Sequence, residues 1–173
     1  APVIIAVIVT HFPEPALLSL AIAAIASQVQ AVVMVDNGSE HDPCRYLGAA
    51  ARSRVHCIRL DRNLGIAAAQ NRGIAWAQSQ GADYVLLSDQ DSEPAPGMVQ
   101  RLLGAALEFA AKSVPVALVA PNYTDDRQSR HIPFMHIVGG HPKWFGCEES
   151  DSAPEITTAI ASGSLIPTDT IDR

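Results

Sequence analysis

Two carboxylates, Asp89 and Asp91, directly follow an apolar run over residues 84–88 and are well placed to hold a cation. Bulky apolar residues bounded by Ser, Glu, Pro and Gly are typical of a buried strand that ends at a turn. In open α/β sheets, ligands bind beyond the carboxyl ends of the strands. Two carboxylates one residue apart repel each other there. A divalent cation would remove this repulsion and bridge to phosphate groups, so the pattern indicates a site for a metal-bound, phosphorylated ligand.

Three further apolar runs end in polar residues. They end at Thr10 and His11, at the Asp-Asn-Gly-Ser segment that begins with Asp36, and at the Asp-Arg-Asn segment that contains Arg62 and Asn63. Turn formation alone accounts for such residues at any single strand end. Because the carboxyl ends of parallel strands lie at one edge of a sheet, the coincidence of four such ends favours one shared crevice.

The elements that must position these residues alternate along the chain. Strands are predicted at residues 3–9, 31–35, 55–60, 83–88 and 114–120, and helices at 16–28, 43–52, 66–80 and 98–112. This order predicts an α/β fold with a mostly parallel central sheet and helices on both faces. Beyond it, residues 131–138 are expected to form an edge or antiparallel strand. Ser162-Gly163-Ser164 interrupts the apolar run 156–166, either as a plain turn or as part of an acceptor or sugar pocket.

Composition limits the class of protein. A chain of 173 residues with 48% apolar and 17% charged residues is long enough for one domain with a substantial core. A formal net charge of -6, with no Lys/Arg run, does not favour nucleic-acid binding. The apolar N-terminus is short and lacks a basic segment, which disfavours a signal peptide or a membrane span.

The cysteines and histidines suggest no metal centre. Cys44, Cys57 and Cys147 are odd in number and form no Cys-x-x-Cys pair, so neither a disulfide framework nor a zinc site is expected, and a reducing cytoplasm fits best. Cys57, on a predicted strand, is interpreted as a small core residue. The spacing of the histidines at 131, 136 and 141 matches no standard ligand pattern.

Four motifs carry a resemblance to a known family. They are Val-Thr-His-Phe at residues 9–12, Val-Asp-Asn-Gly-Ser at 35–39, Asn-Leu-Gly at 63–65 and Asp-Gln-Asp-Ser at 89–92. In this order they resemble family 2 glycosyltransferases of the GT-A fold, over nearly the whole chain. The Asp-Gln-Asp-Ser form and the run 161–166 are similar to bacterial rhamnosyltransferases that use dTDP-rhamnose. The resemblance implies one GT-A-like domain over 1–173, with a nucleotide-binding half at 1–122 and the start of an incomplete acceptor- or sugar-binding half at 123–173.

The resemblance also implies roles for the residues that would bind the nucleotide sugar. Asp36 would hydrogen-bond the base, which for a carboxylate acceptor fits the imide N–H of uracil or thymine, and Thr10 and His11 would line the same pocket. Asn63 and Gly65 open a helix whose N-terminus suits anionic groups.

The remaining implied roles concern charge. Arg62 would add positive charge near the base or the diphosphate. Asp89 would contact the ribose or the metal, and Asp91 would bind Mg²⁺ or Mn²⁺.

The implied reaction moves a sugar from a dTDP- or UDP-sugar to a saccharide or lipid-linked acceptor with inversion, in cell-surface polysaccharide synthesis. The similarity of the Asp-Gln-Asp-Ser motif to rhamnosyltransferases implies that this sugar is rhamnose. A cytoplasmic location is expected, at the inner face of the membrane if the acceptor is lipid-linked. The general base is expected C-terminal to Arg173. The acidic residues at 148, 149, 151 and 155 lie too early in the chain and are interpreted as a solvated loop. We therefore expect this chain to bind nucleotide and metal better than it catalyses transfer.

Two alternatives stay open. One is a non-catalytic nucleotide-binding module. The other is a different nucleotide-dependent enzyme, such as a nucleotidyltransferase or a dehydrogenase. No Gly-x-Gly-x-x-Gly follows the first predicted strand, no P-loop occurs, and residues 10–14 form no Gly/Arg/Lys-rich loop, which weakens this second alternative.

Overall fold

A five-stranded sheet forms the centre of the protein. It is seen in a computed structural model that describes residues 1–125, 130–146 and 153–171. Four parallel strands make up most of the sheet, β1 (Ile4–Thr10), β2 (Ala31–Asn37), β3 (Val55–Leu60) and β4 (Tyr84–Asp89). A fifth, antiparallel strand, β9 (Leu165–Pro167), borders β4. The strand order is β3-β2-β1-β4-β9. The predicted mostly parallel α/β sheet is confirmed.

Helices cover both faces of this sheet. They are α1 (Pro15–Ala26), α3 (Ile66–Ser79) and α4 (Met98–Ala111), close to the predicted bounds. Ile4, Ala6 and Ile8 of β1 pack in a core with side chains of α1 and α4, whereas Ile5 and Val7 pack in a second core with α3. Successive strand residues point to opposite faces, so a strand covered on both faces is apolar at every position.

The connection between β2 and β3 differs from the predicted helix over residues 43–52. It consists of a 3₁₀ helix, Pro43–Tyr46, and a single α-helical turn, α2 (Ala49–Arg52). Gly48, which precedes α2 in an extended conformation, interrupts what the sequence predicted as one helix.

The expectation of no disulfide framework is wrong for one pair of cysteines. Cys44 of the 3₁₀ helix is disulfide-bonded to Cys57 of β3, with 6.6 Å between their Cα atoms. The fold brings two cysteines 13 residues apart into bonding range. Cys57 is thus half-buried against the core, as interpreted, but as a bonded cysteine. Cys147 lies outside the described residues.

The prediction of a strand at residues 114–120 is also wrong. Within this segment the structure has an isolated bridge, in which Val119 pairs with Leu165 of β9. Since β9 already occupies the edge of β4, the segment has no place as a sheet strand beside β4. Pro115 further limits strand pairing because it lacks a backbone N–H donor.

The chain beyond α4 forms two small hairpins. One pairs β5 (Thr124–Asp125) with β6 (Arg130–His131), and the other pairs β7 (Phe134–Val138) with β8 (His141–Phe145). The antiparallel strand predicted at 131–138 is confirmed over β7. A short helix, α5 (Thr168–Ile171), follows β9. In the described part of the chain, no helix is both long and apolar enough to cross a membrane.

Candidate nucleotide-sugar site

The four polar strand ends meet around one cavity of about 380 Å³. The ends of β1, β2 and β4 and the start of α3 all contribute to its wall. The lining residues are Val9, His11, Asn37, Asn63, Gly65, Ile66, Asp89, Gln90 and Asp91. The cavity therefore lies beyond the carboxyl ends of the parallel strands, where ligands of open α/β sheets bind.

A chain of hydrogen bonds, made by side chains and one backbone N–H, joins the strand ends across the cavity wall. Asn37 Nδ2 donates to Asn63 Oδ1 at 3.0 Å, and Asn63 Nδ2 lies 3.2 Å from His11 Nε2. The His11 backbone N–H donates to Gln90 Oε1 at 2.9 Å. The Asn37–Asn63–His11–Gln90 chain links β1, β2, the loop after β3 and the acidic segment, so these four ends form a single wall.

Asp36 is buried behind this wall rather than exposed in it. Its carboxylate accepts hydrogen bonds from Thr10 Oγ1 at 3.3 Å and Ser39 Oγ at 2.5 Å, and it pairs with Arg59 Nε at 3.3 Å. Thr10, Asp36 and Arg59 are in register across β1, β2 and β3. The role of Asp36 in base recognition stays a prediction, whereas its contacts hold the end of β2 in place.

Asn37, the next residue, lines the cavity. Since neighbouring residues on a strand point to opposite faces, burial of the Asp36 carboxylate places the Asn37 amide on the side of α3 and the loop that precedes it. From the sequence alone, Asn37 is expected to be a turn residue. The adjacent Asp36 and Asn37 at a strand end indicate that one of them lines a site, but the sequence does not show which of the two faces the cavity.

Gly38 brings the turn after β2 against the loop after β3. A Cβ at Gly38 would lie 2.5 Å from the carbonyl carbon of Arg62, and the residue has a φ of +81°. The close approach of these two backbones positions Asn63 next to Asn37. The Arg62 side chain is exposed and does not line the cavity, so its charge role stays a prediction.

The N-terminus of α3 opens into the same cavity. Gly65 precedes the helix with a φ of +85°, its backbone N–H donates to Asn63 Oδ1 at 2.8 Å, and no side chain caps the first turn. Uncapped N–H groups and the helix dipole favour an anionic group at this end. Gly65 and Ile66 line the cavity, so the diphosphate of a nucleotide is a suitable ligand there.

The acidic segment supplies the opposite side. Asp89 ends β4 and is exposed toward the cavity, although packing around it withdraws part of the carboxylate from bulk water. This desolvation, and next the charge of Asp91, raise the pKa of Asp89, while a hydrogen bond from Ser162 lowers it. A cation bound between Asp89 and Asp91 would relieve the repulsion that raises the pKa.

The Ser162-Gly163-Ser164 segment is a turn held directly against the acidic segment. Gly163 N–H donates to the Leu87 carbonyl at 2.7 Å, and Leu87 N–H donates to the Ser164 carbonyl at 3.0 Å. Ser162 Oγ accepts from the Asp89 backbone N–H at 3.0 Å and donates to Ser92 Oγ at 2.9 Å. The segment therefore positions Asp89.

The site fits a divalent cation shared with a phosphorylated ligand. The described residues contain no group of three or more His, Cys, Asp or Glu side chains that would hold an ion by themselves. Asp89 and Asp91 would supply oxygen ligands, since Mg²⁺ is commonly held by one or two carboxylates together with substrate phosphates and water. In addition, His136 and His141 belong to the β7–β8 hairpin and form no such group among the described residues.

Of the other acidic candidates, Glu148, Glu149 and Asp151 lie outside the described residues. Glu155 is exposed and does not line the cavity. The acidic residues that line the cavity in the described part of the chain are thus Asp89 and Asp91.

Besides Asn37, the structure adds two site residues that were not expected from the sequence, Arg59 and Gln90, and gives Ser162, expected as a turn or pocket residue, a definite contact. Arg59 holds Asp36, Gln90 joins the acidic segment to His11, and Ser162 supports Asp89. Gln90 lies inside the acidic motif and could have been inferred from that position. Arg59 and Ser162 become recognisable from strand register and from the pairing of β4 with β9, which the sequence alone did not specify.

The fold and the site together define an α/β domain of GT-A type, with a ligand cavity at the carboxyl edge of its sheet. Residues 6–166 match the family described as Glycosyl transferase family 2. The chain belongs to this family.

One similar protein agrees with the family assignment, and one similar structure agrees with the fold. The chain is 31% identical over 164 residues to a protein of Shigella flexneri named dTDP-rhamnosyl transferase RfbF, an alignment that covers 94% of the chain. The chain spans 53% of that relative's length. A solved structure of TarS residues 1–349 from S. aureus superposes with a TM-score of 0.62 at 13% identity, over 98% of this chain and 48% of TarS. The TarS similarity supports the fold alone.

Proposed function

We propose that this chain is the donor-binding part of a glycosyltransferase that moves a sugar from a nucleoside diphosphate sugar to an acceptor hydroxyl. The observation that carries the proposal is the cavity itself. A pair of carboxylates lines one side of it, and the uncapped N-terminus of α3 lines the other. The diphosphate of a nucleoside diphosphate is anionic, so it suits the helix N-terminus directly and the two carboxylates through a shared divalent cation. Membership of glycosyl transferase family 2 gives the reaction class.

We further propose dTDP-rhamnose as the donor, or a UDP-sugar in its place. The support is the similarity to a relative named as a dTDP-rhamnosyl transferase, together with the Asp-Gln-Asp-Ser motif at 89–92. The acceptor would be a saccharide or a lipid-linked saccharide in cell-surface polysaccharide synthesis, at the inner face of the membrane if it is lipid-linked. Inversion at the anomeric carbon belongs to the same proposal.

Asp91, with Asp89 beside it, would hold Mg²⁺ or Mn²⁺ against the diphosphate. When bound, this ion would stabilise the negative charge that grows on the leaving diphosphate. The chain's own groups orient the donor: Asn63 and Gly65 shape the helix N-terminus, and Ser162 holds Asp89 in place. As the bond between the anomeric carbon and the diphosphate breaks, this carbon gains oxocarbenium character, and the acceptor hydroxyl attacks it from the opposite face.

Nucleotide binding without transfer is the second candidate. Both carboxylates that line the cavity in the described part of the chain are committed to the donor, so the base that would activate the acceptor is unassigned. We therefore expect residues 1–173 to bind nucleotide and metal better than they catalyse transfer.

A two-stage experiment tests the function. Thermal unfolding is followed with dTDP, UDP or CDP, each with Mn²⁺ and again with excess chelator, since a ligand that binds the folded chain raises Tm. Stabilisation by dTDP or UDP that disappears with the chelator supports the donor site, and no stabilisation by either would contradict it. Transfer of label from dTDP-rhamnose to saccharide acceptors then separates an enzyme from a binding module.

A further inference from the structure

The orientation of the Asn37 amide is fixed by the backbone. The Leu64 N–H donates to Asn37 Oδ1 at 2.9 Å, and a backbone N–H can only donate. Asn37 Oδ1 is therefore the oxygen, and its Nδ2 is the donor toward Asn63 Oδ1. If the amide were flipped, its Nδ2 would point at the Leu64 N–H, and two hydrogen-bond donors would face each other.

The Asn63 amide is fixed in the same way. Its Oδ1 accepts from Gly65 N–H at 2.8 Å and from Asn37 Nδ2 at 3.0 Å, so two donors identify this atom as the oxygen. The other end, Nδ2, must donate to His11 Nε2, which lies 3.2 Å away. To accept this hydrogen bond, Nε2 needs a free lone pair, and the neutral imidazole then carries its proton on Nδ1.

The Nδ1–H donor is available to a ligand. In the part of the chain that the structure describes, no residue accepts a hydrogen bond from it, and His11 lines the cavity with its side chain exposed. The ring is braced by an edge-on contact with Phe12, 4.6 Å between ring centres, and by the backbone hydrogen bond to Gln90. One donor of known direction is thus held at the cavity wall.

We propose that His11 binds the nucleotide as a neutral imidazole of the Nδ1–H tautomer, donating from Nδ1 to an acceptor oxygen of the ligand. This inference rests on the proposed nucleotide site and adds the chemistry of one contact in it. The acceptor is a carbonyl of the pyrimidine base or an oxygen of the diphosphate. In either case the tautomer is set by Asn37 and Asn63, which act on Nε2, whereas the ligand would contact Nδ1.

A pair of substitutions separates the two nitrogens. The amide of His11→Asn can place a donor where Nδ1 is, whereas the longer amide of His11→Gln reaches the position of Nε2 and supplies the acceptor for Asn63. We expect His11→Gln to weaken dTDP binding about tenfold, the loss of one hydrogen bond, and His11→Asn to weaken it clearly less than His11→Gln does. Isothermal titration with dTDP and Mn²⁺ measures both.

The arms of the titration identify the acceptor. If the contact is to the base, the loss in His11→Gln appears with thymidine and is absent with inorganic pyrophosphate, and the reverse holds for a contact to the diphosphate. Equal affinities of His11→Gln and the unaltered chain for dTDP would overturn the inference while leaving the nucleotide site intact. Failure of the unaltered chain to bind any nucleotide would instead refute the proposed function.

A measurement without ligand tests the tautomer directly. In protein labelled with ¹⁵N at histidine, the resonances absent from His11→Gln belong to His11, and the Nδ1–H tautomer gives a protonated Nδ1 and an unprotonated Nε2. We expect this pattern at neutral pH and its loss in Asn63→Ala. A protonated Nε2 in the unaltered chain would overturn the inference even if nucleotides bind.

Discussion

Asp36 and Arg59 lie in register on neighbouring parallel strands and form an ion pair of which one end is buried and the other is not. Asp36 is 1% exposed and the Arg59 side chain is 45% exposed, with 3.3 Å between Oδ2 and Nε. Arg59 also donates from its second terminal nitrogen to the Ser39 carbonyl at 2.9 Å. One guanidinium therefore ties β3 both to a buried carboxylate and to the turn behind the cavity.

Replacing Arg59 by Met should lower the free energy of unfolding by about 2 kcal/mol, because Asp36 stays buried with its only cationic partner among the described residues removed. Arg59→Lys should lose less, since the charge is kept but not the forked geometry. Urea unfolding measures both through the midpoint. Lys112→Met is the control, because its pair with Glu108 is exposed at both ends and should matter by less than about 0.5 kcal/mol. Equal losses in Arg59→Met and Lys112→Met would contradict the assignment.

The Cys44–Cys57 disulfide should stabilise the β2–β3 connection. Closing a loop across 13 residues constrains the unfolded chain by about 3 kcal/mol. Cys57→Ser should therefore lower Tm, and dithiothreitol should lower the Tm of the unaltered chain to a similar value. Alkylation followed by mass spectrometry should leave both cysteines unmodified until reduction. Labelling of Cys57 in the unreduced, folded protein would show that the bond is absent.

Substitutions at two glycines of the site should distinguish the cost of an unfavourable backbone conformation from the cost of a steric clash. Gly38 and Gly65 have φ values of +81° and +85°, but a Cβ at Gly38 would lie 2.5 Å from backbone atoms of Arg62, whereas one at Gly65 meets nothing within 4 Å. Gly65→Ala should cost about 1–3 kcal/mol from the backbone alone, because a φ of +85° with a ψ of 157° is a conformation that essentially only glycine adopts. Gly38→Ala should cost more and should weaken nucleotide binding, since it pushes Asn63 away from Asn37. Equal unfolding midpoints for the two variants would contradict the close approach.

Strand ends were predictable from this sequence, but the direction of individual side chains was not. Apolar runs over residues 3–9, 31–35, 55–60 and 83–88 specify the parallel strands because both faces of the sheet are covered. That same double coverage removes the alternation of apolar and polar residues that would reveal which face each residue takes. The choice between Asp36 and Asn37 for the cavity therefore required the structure.

Long-range contacts set the other limit. Cys44 and Cys57 meet because the 3₁₀ helix packs beside β3, and Ser162 reaches Asp89 because β9 runs antiparallel to β4. Neither relationship follows from local spacing. The segment 114–120 has the composition of a strand, but β9 occupies the sheet edge beside β4. The strand predicted from composition alone is therefore not formed.

Asp89 should make the ligand-free protein less stable at neutral pH than a neutral isostere would. Its pKa in the folded chain is raised above the ordinary value of 3.8, chiefly by desolvation and then by Asp91. The folded chain thus holds this proton more tightly than the unfolded chain, and stability falls as pH rises through the interval above 3.8. Asp89→Asn should therefore raise stability at pH 7, by less than about 1 kcal/mol for so exposed a group.

The size of this gain should depend on pH and on which carboxylate is removed. At pH values well below 3.8 the Asp89 side chain is neutral in both the folded and the unfolded chain, so Asp89→Asn and the unaltered chain should unfold at nearly the same temperature. Asp91→Asn removes the repulsion but not the desolvation, so its gain at pH 7 should be smaller than that of Asp89→Asn. Both variants should lose the stabilisation by dTDP and Mn²⁺, because the cation that offsets the repulsion needs these oxygens. An Asp89→Asn variant less stable than the unaltered chain at pH 7 would show that this carboxylate supports the fold rather than the ligand.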